Sequence, residues 1–130
     1  MANILIIDDD RQFRTMLRKM IEKNGHDVIE APDGREGVRL YRKSPTDLII
    51  TDLIMPEKDG IETIQELKKD FPDIKIIAVS GGGRLGPRDY LHLAKMLGAQ
   101  RTLTKPIELP ELLDAIKEVL AESDSGSLQK

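Results

Sequence analysis

The chain has 130 residues, enough to bury one hydrophobic core, with 20 Lys and Arg against 23 Asp and Glu and a net charge of −3 at pH 7. Both signs are spread along the whole length, which argues against a nucleic-acid grip dominated by phosphate contacts, and the absence of cysteine rules out disulfides and thiolate metal sites. "MANILIIDDD" lacks the basic start and long apolar run of a signal peptide, and no segment reaches membrane-spanning length, so a cytoplasmic protein without membrane contact is expected.

Apolar runs of strand length alternate with segments of helical period. "NILII" is a strand, followed by "RQFRTMLRKMIEKNG", where Phe13, Met16, Leu17, Met20 and Ile21 recur at three- and four-residue steps and Gly25 supplies a stop. "DVIEA" reads as the second strand and "DGREGVRLYRKS" as a helix ending before Pro45. "DLIITD", nearly all apolar, suits a strand covered on both faces. After the turn "PEKDG" comes the helix "IETIQELKKDF", then the strand "IKIIAVS", the helix "PRDYLHLAKMLG", the short strand "RTLT" and the helix "LPELLDAIKEVL". Pro110 lies near the first turn of that last helix, where a missing N–H is tolerated. The tail "AESDSGSLQK" has little to bury, which predicts a domain over residues 1–121 and a disordered segment over 122–130. Met16, Met20 and Met96 are expected on helix core faces and His26 and His92 in solvent; Tyr90 fits either core or surface.

Five strand–helix repeats joined by connections too long for hairpins predict an α/β fold, a parallel sheet with helices on both faces. Such sheets bind ligands at the carboxyl ends of their strands. The residues found there are Asp8 and Asp9 after strand one, Asp52 after strand three, Ser80 after strand four and Lys105 after strand five. Three acids, a hydroxyl and a lysine suit an oxygen-liganded cation together with a phosphoryl group. Mg2+ is held by one or two carboxylates plus phosphate oxygens and water. An aspartate can attack phosphorus to form an aspartyl phosphate, the charge on the transferred group being met by metal, lysine and hydroxyl.

These segments resemble the receiver domain of bacterial two-component response regulators over residues 3 to about 121. "ILIIDDD" is similar to its acidic-pair motif, "LIITDLIMPEKDGIE" to its phosphoacceptor segment, "IIAVSG" to its hydroxyl segment and "LGAQRTLTKPI" to its lysine segment. The resemblance implies a flavodoxin-like doubly wound fold with strand order 2-1-3-4-5, resembling most the chemotaxis-type single-domain form. It implies that Asp52 is the phosphoacceptor, that Mg2+ (or Mn2+) is bound by Asp9, Asp52 and the Ile54 carbonyl, and that Asp8 acts on it through water. Ser80 would switch toward the phosphoryl group, Lys105 would pair with it, and the Lys105–Pro106 peptide bond would be cis. The implied partners are a sensor histidine kinase or histidine phosphotransfer protein and a downstream protein target, in a phosphorelay, the chain acting as a monomer or a phosphorylation-dependent dimer.

Asp10 falls outside the acidic pair and is expected to cap a helix. Thr102 stands where the family usually carries Tyr or Phe, so an aromatic switch is not expected at that position. The segment "GGGRLGP" is long and glycine-rich, and predicts a mobile loop beside the site. Ile54 and Gly82, two residues after Asp52 and Ser80, cannot hydrogen-bond an attacking water, which predicts a long-lived phosphoryl group whose loss Ile54→Asn and Gly82→Glu should speed.

Two other functions fit parts of the pattern. Asp8-x-Asp10 after an apolar strand also suits a haloacid-dehalogenase-type phosphatase, with Asp8 as nucleophile and Asp10 as general acid. A receiver that has lost its chemistry and only binds a partner is the third reading. No G-x-x-x-x-G-K-[ST] accompanies the glycines at 81–83, so a nucleotide site is not expected there.

Overall fold

The structure is a computed structural model that describes residues 2–53, 60–81 and 87–128, the side chains of 87–91 and 123–128 excepted. Ten elements alternate along the chain: β1 (Asn3–Ile7), α1 (Arg11–Glu22), β2 (Asp27–Ala31), α2 (Gly34–Lys43), β3 (Leu48–Asp52), α3 (Gly60–Asp70), β4 (Ile76–Ser80), α4 (Pro87–Met96), β5 (Arg101–Thr104) and α5 (Leu109–Leu128). The strands form one parallel sheet in the order β2-β1-β3-β4-β5. This is the doubly wound flavodoxin-like arrangement that the resemblance implies.

Strand alternation sorts the core into two layers. Ile4 and Ile6 of β1, Leu48 and Ile50 of β3, and Ile77 and Val79 of β4 pack with Leu17 and Ile21 of α1 and Leu112, Ile116 and Val119 of α5. Leu5, Ile7, Ile49, Ile76 and Ala78 point the other way and pack with Val38 and Tyr41 of α2, Ile64 and Leu67 of α3 and Ala94 of α4. Every residue of β3 and β4 is buried, which is why those strands read as unbroken apolar runs and not as an alternating pattern. Burial of each large aliphatic side chain stabilises the fold by ~1.5–3 kcal/mol.

The same alternation fixes what leaves the sheet at its carboxyl edge. Asp8 continues the row of Ile4 and Ile6, Asp52 that of Leu48 and Ile50, and Lys105 that of Leu103, all on the α1/α5 side. Ser80 and Thr102 follow the opposite row, that of Ala78, to which Thr102 is paired in register. α1 begins at the N-cap Asp10, whose carboxylate accepts hydrogen bonds from the Gln12 and Phe13 N–H groups at 2.9 and 3.1 Å, as expected. Gly25 and Gly98, with φ of 90° and 112°, follow α1 and α4.

Two sequence expectations differ. Met16 and Met96 are 42% and 72% exposed, and only Met20 of the three packs on the core. Met16 lies on the flank of the stripe centred on Leu17 and Ile21, and Met96 lies about 200° round α4 from the buried Ala94. His26 is half-buried, and its Nδ1 accepts a hydrogen bond from the Ala2 N–H at 3.2 Å; His92 is exposed, as expected. The α5 backbone is helical to Leu128.

Candidate functional site

The carboxyl ends of β1 and β3 lie side by side, since Ile7 is the register partner of Thr51. The next residues on the two strands are therefore Asp8 and Asp52. One carboxylate oxygen each from Asp8, Asp9 and Asp52 lies within 4.8 Å of the other two. Asp8 and Asp52 are buried, at 1% and 7% exposure, while Asp9 faces solvent. Lys105 arrives from the end of β5, and its Nζ lies 3.0 Å from Asp8 Oδ2 and 3.5 Å from Asp52 Oδ2. The Lys105–Pro106 peptide bond is cis.

Three carboxylates thus gather here and one ammonium pairs with two of them, leaving an excess of negative charge in a partly desolvated pocket. Burial pushes the Asp8 carboxyl above its ordinary range, against the opposing pull of the Asp10 N–H, which donates to Asp8 Oδ1 at 2.8 Å, and of Lys105. Burial alone would lower Lys105; its ion pairs with Asp8 and Asp52 outweigh that and hold it charged, above its ordinary value. A divalent cation among the three acids would relieve the remaining repulsion, and an all-oxygen donor set is the type that Mg2+ takes. Ser80 is fully buried, and its Oγ has no hydrogen-bond partner among the described residues. An unpartnered buried hydroxyl costs free energy, which an incoming oxygen acceptor would recover.

Supporting contacts that the sequence does not announce fix these groups. Arg14 Nη1 donates to the Asp8 carbonyl at 2.7 Å, and Arg14 Nε and Arg18 Nη1 donate to the Glu30 carboxylate at 3.1 and 2.9 Å. This network ties the β1–α1 turn to β2. Burial raises Glu30, but the two arginines outweigh it and hold the carboxyl below its ordinary value of 4.5. A depressed carboxyl contributes stability that is complete above its unfolded value and is lost as pH falls through its folded one. Glu30→Gln is therefore expected to lower stability by about 1 kcal/mol at neutral pH. In urea unfolding over a pH series, the gap between variant and wild type should close on acidification through that lowered value. Gly60 and Gly81 are close approaches: a Cβ at Gly60 would lie 2.0 Å from the Asp52 carbonyl oxygen, and one at Gly81 would lie 2.7 Å from Lys105 Cδ.

Asp8, Asp9, Asp52 and Lys105 converge in this pocket. Ser80 ends the strand next to β3, and its carbonyl accepts the Lys105 N–H at 2.8 Å. Thr102 is half-buried in β5. Asp10 is occupied as a helix cap and is absent from the acidic group, which removes the general acid that the phosphatase reading requires. The Ile54 carbonyl, the 54–59 turn, Gly82 and Gly83 of the glycine cluster and the Tyr90 side chain lie outside the described residues.

A parallel doubly wound sheet whose carboxyl edge gathers three acids and a lysine is suited to phosphoryl transfer onto an aspartate. Residues 4–117 match the family model of the response regulator receiver domain, and the chain belongs to that family. It is 33% identical over 117 residues to the chemotaxis protein CheY of Halobacterium salinarum, covering 90% of this chain and 95% of that protein. It is 32% identical over 117 residues to sporulation initiation phosphotransferase F of Bacillus subtilis, covering 90% of this chain and 92% of that protein. A receiver domain structure from Clostridium thermocellum superimposes with a TM-score of 0.88 at 30% identity, covering 95% of this chain and 98% of that one.

Proposed function

We propose that Asp52 is the residue that takes the phosphoryl group, from a histidine of a sensor kinase or phosphotransfer protein. The observation that carries this reading is the convergence of the Asp8, Asp9 and Asp52 carboxylates at one sheet edge, with Lys105 paired to Asp8 and Asp52. Asp9, Asp52 and the Ile54 carbonyl would hold Mg2+, with Asp8 acting through water; Mn2+ accepts the same oxygen donors. The bound metal supplies positive charge against the phosphoryl oxygens.

An Asp52 carboxylate oxygen forms the new bond to phosphorus as the donor's P–N bond breaks, and the electron pair returns to the donor imidazole. Lys105 exchanges its carboxylate partners for a phosphoryl oxygen, and the orphaned Ser80 hydroxyl donates to another. Drawing Ser80 and the loop after it toward Asp52 shifts the balance between two conformations, which a downstream protein reads. With Thr102 in β5, the shift proceeds without an aromatic rotamer there. The phosphoryl group is long-lived for want of a polar side chain at Ile54 and Gly82. The kinship with a protein named a phosphotransferase fits a place in a phosphorelay. Among the described residues no helix is long and apolar enough to cross a membrane; the proposed setting is the cytoplasm. The proposed domain is residues 1–121, acting by protein contact as a monomer or a phosphorylation-dependent dimer.

Intact mass after incubation with Mg2+ and acetyl phosphate tests the assignment. The wild type is expected to gain one phosphoryl group and Asp52→Asn none. Labelling that persists in Asp52→Asn and disappears in Asp8→Asn would overturn it in favour of the phosphatase-type nucleophile. A wild type that takes up none, from acetyl phosphate or a histidine phosphodonor, would leave a binding module.

A further inference from the structure

The Lys105 ammonium has a neighbour other than the acids: its Nζ lies 4.1 Å from the centroid of the Phe13 ring, over the ring face. Phe13 is in the first turn of α1, its N–H bound to the Asp10 carboxylate, and its ring is half-buried against the α1/α5 core layer. On the other side the stem of Lys105 passes directly over Gly81, so closely that a single added carbon there would meet its Cδ at 2.7 Å and its Cβ at 3.3 Å. Lys105 therefore runs through a slot, with a bare backbone against its stem, an aromatic face at its head and two carboxylates ahead of it.

We propose that Phe13 is a positioning residue for Lys105, seating the ammonium by a cation–π contact so that it faces the phosphoacceptor before and during transfer. The inference rests on the reading of Lys105 as the partner of the phosphoryl group. A lysine stem has four rotatable bonds and a strongly hydrated head, so an ammonium without a seat spreads over many positions. A ring face attracts the cation electrostatically without accepting a directional hydrogen bond. The ammonium can then leave Asp8 and Asp52 for a phosphoryl oxygen while staying on the ring, whereas a further carboxylate at this place would hold it back. For core packing alone a leucine would serve at position 13, and the α1 periodicity would not change; the aromatic identity is what the contact uses.

The test uses the full chain in Mg2+ and acetyl phosphate, with initial phosphorylation rates for wild type, Phe13→Leu, Phe13→Tyr and Phe13→Leu in a Lys105→Met background. Phe13→Leu is expected to slow uptake about fivefold, the scale of one partly desolvated cation–π contact. Phe13→Tyr should keep the wild-type rate, and in the Lys105→Met background the leucine should slow nothing further. NMR supplies a readout that needs no phosphodonor: the Lys105 ε-methylene protons should be shifted upfield by the ring in wild type and Phe13→Tyr, and should lose that shift in Phe13→Leu. Equal rates in Phe13→Leu and wild type would overturn the proposal, as would an undiminished slowing in the Lys105→Met background. If the wild type takes up no phosphoryl group while the upfield shift is present, it is the reading of the site that fails, not the contact.

Discussion

Gly60→Ala is expected to lower the stability of the domain by about 3 kcal/mol and to slow phosphoryl uptake together. Gly60 opens α3 directly behind the end of β3, and an alanine Cβ there would lie 2.0 Å from the Asp52 carbonyl oxygen and 2.6 Å from Leu53 Cα. Both are backbone atoms, so no rotamer change relieves the overlap. The same Asp52 carbonyl accepts the Thr51 hydroxyl at 3.0 Å, and the Gly60 N–H donates to the Leu53 carbonyl at 3.0 Å. Either α3 moves away and that bond breaks, or the strand end moves and carries Asp52, the proposed phosphoacceptor, with it. Stability of ~5–15 kcal/mol is usual for a domain, so the loss is a large fraction of the total. A displacement of the Asp52 carboxylate by ~1 Å would account for a rate loss of about a hundredfold. Urea unfolding reads the first effect and the intact-mass time course the second. A variant with the wild-type midpoint and rate would show that the strand end is less tightly held than these distances require.

The parts of this molecule legible in sequence are those set by local pattern. Strands β3 and β4 announce themselves because both faces are covered, so the apolar runs Leu48–Ile50 and Ile76–Val79 need no alternation. Asp8, Asp9, Asp52 and Lys105 could be placed together because the sheet brings the ends of its strands to one edge, whatever the intervening helices contain. Other features depend on distances that no local pattern carries. Phe13 reads as one more apolar residue on α1, and its contact with Lys105 exists only once the sheet brings the end of β5 and the start of α1 to the same carboxyl edge. Arg14 donates to the Asp8 carbonyl, a group every residue possesses and which no sequence marks. Gly60 was visible in the phosphoacceptor motif, but the reason for a glycine there is the Asp52 backbone behind it. Met16 and Met96 lie outside the core because Met16 sits on the flank of the Leu17 and Ile21 stripe and Met96 about 200° round the helix from Ala94.

Lys105→Met is expected to produce two effects of opposite sign at the same site. Methionine keeps an unbranched stem of similar length above Gly81, so the slot remains filled while the charge is lost. Asp8, 1% exposed, and Asp52, 7% exposed, then face each other and Asp9 without their ammonium. Removing one partner from a buried ion pair costs ~3–5 kcal/mol. Lys105 keeps 22% of its side chain exposed, so water screens part of this, and a loss of about 2 kcal/mol in the metal-free protein is expected. The same repulsion favours a divalent cation. The ammonium and Mg2+ compete for the same carboxylates, so the variant should bind Mg2+ more tightly than the wild type and regain more stability from it in a Mg2+ titration of the unfolding midpoint. Phosphoryl uptake should nevertheless fall about a hundredfold, the usual effect of deleting one charge-stabilising donor from a transition state. Tighter metal binding with slower transfer would separate the two proposed roles of the pocket, the acids gathering the cation and the lysine acting on the phosphoryl group itself. Weaker Mg2+ binding in the variant would mean that Lys105 organises the carboxylates for the metal instead of competing with it, and the electrostatic account of the site would have to be rebuilt around that order.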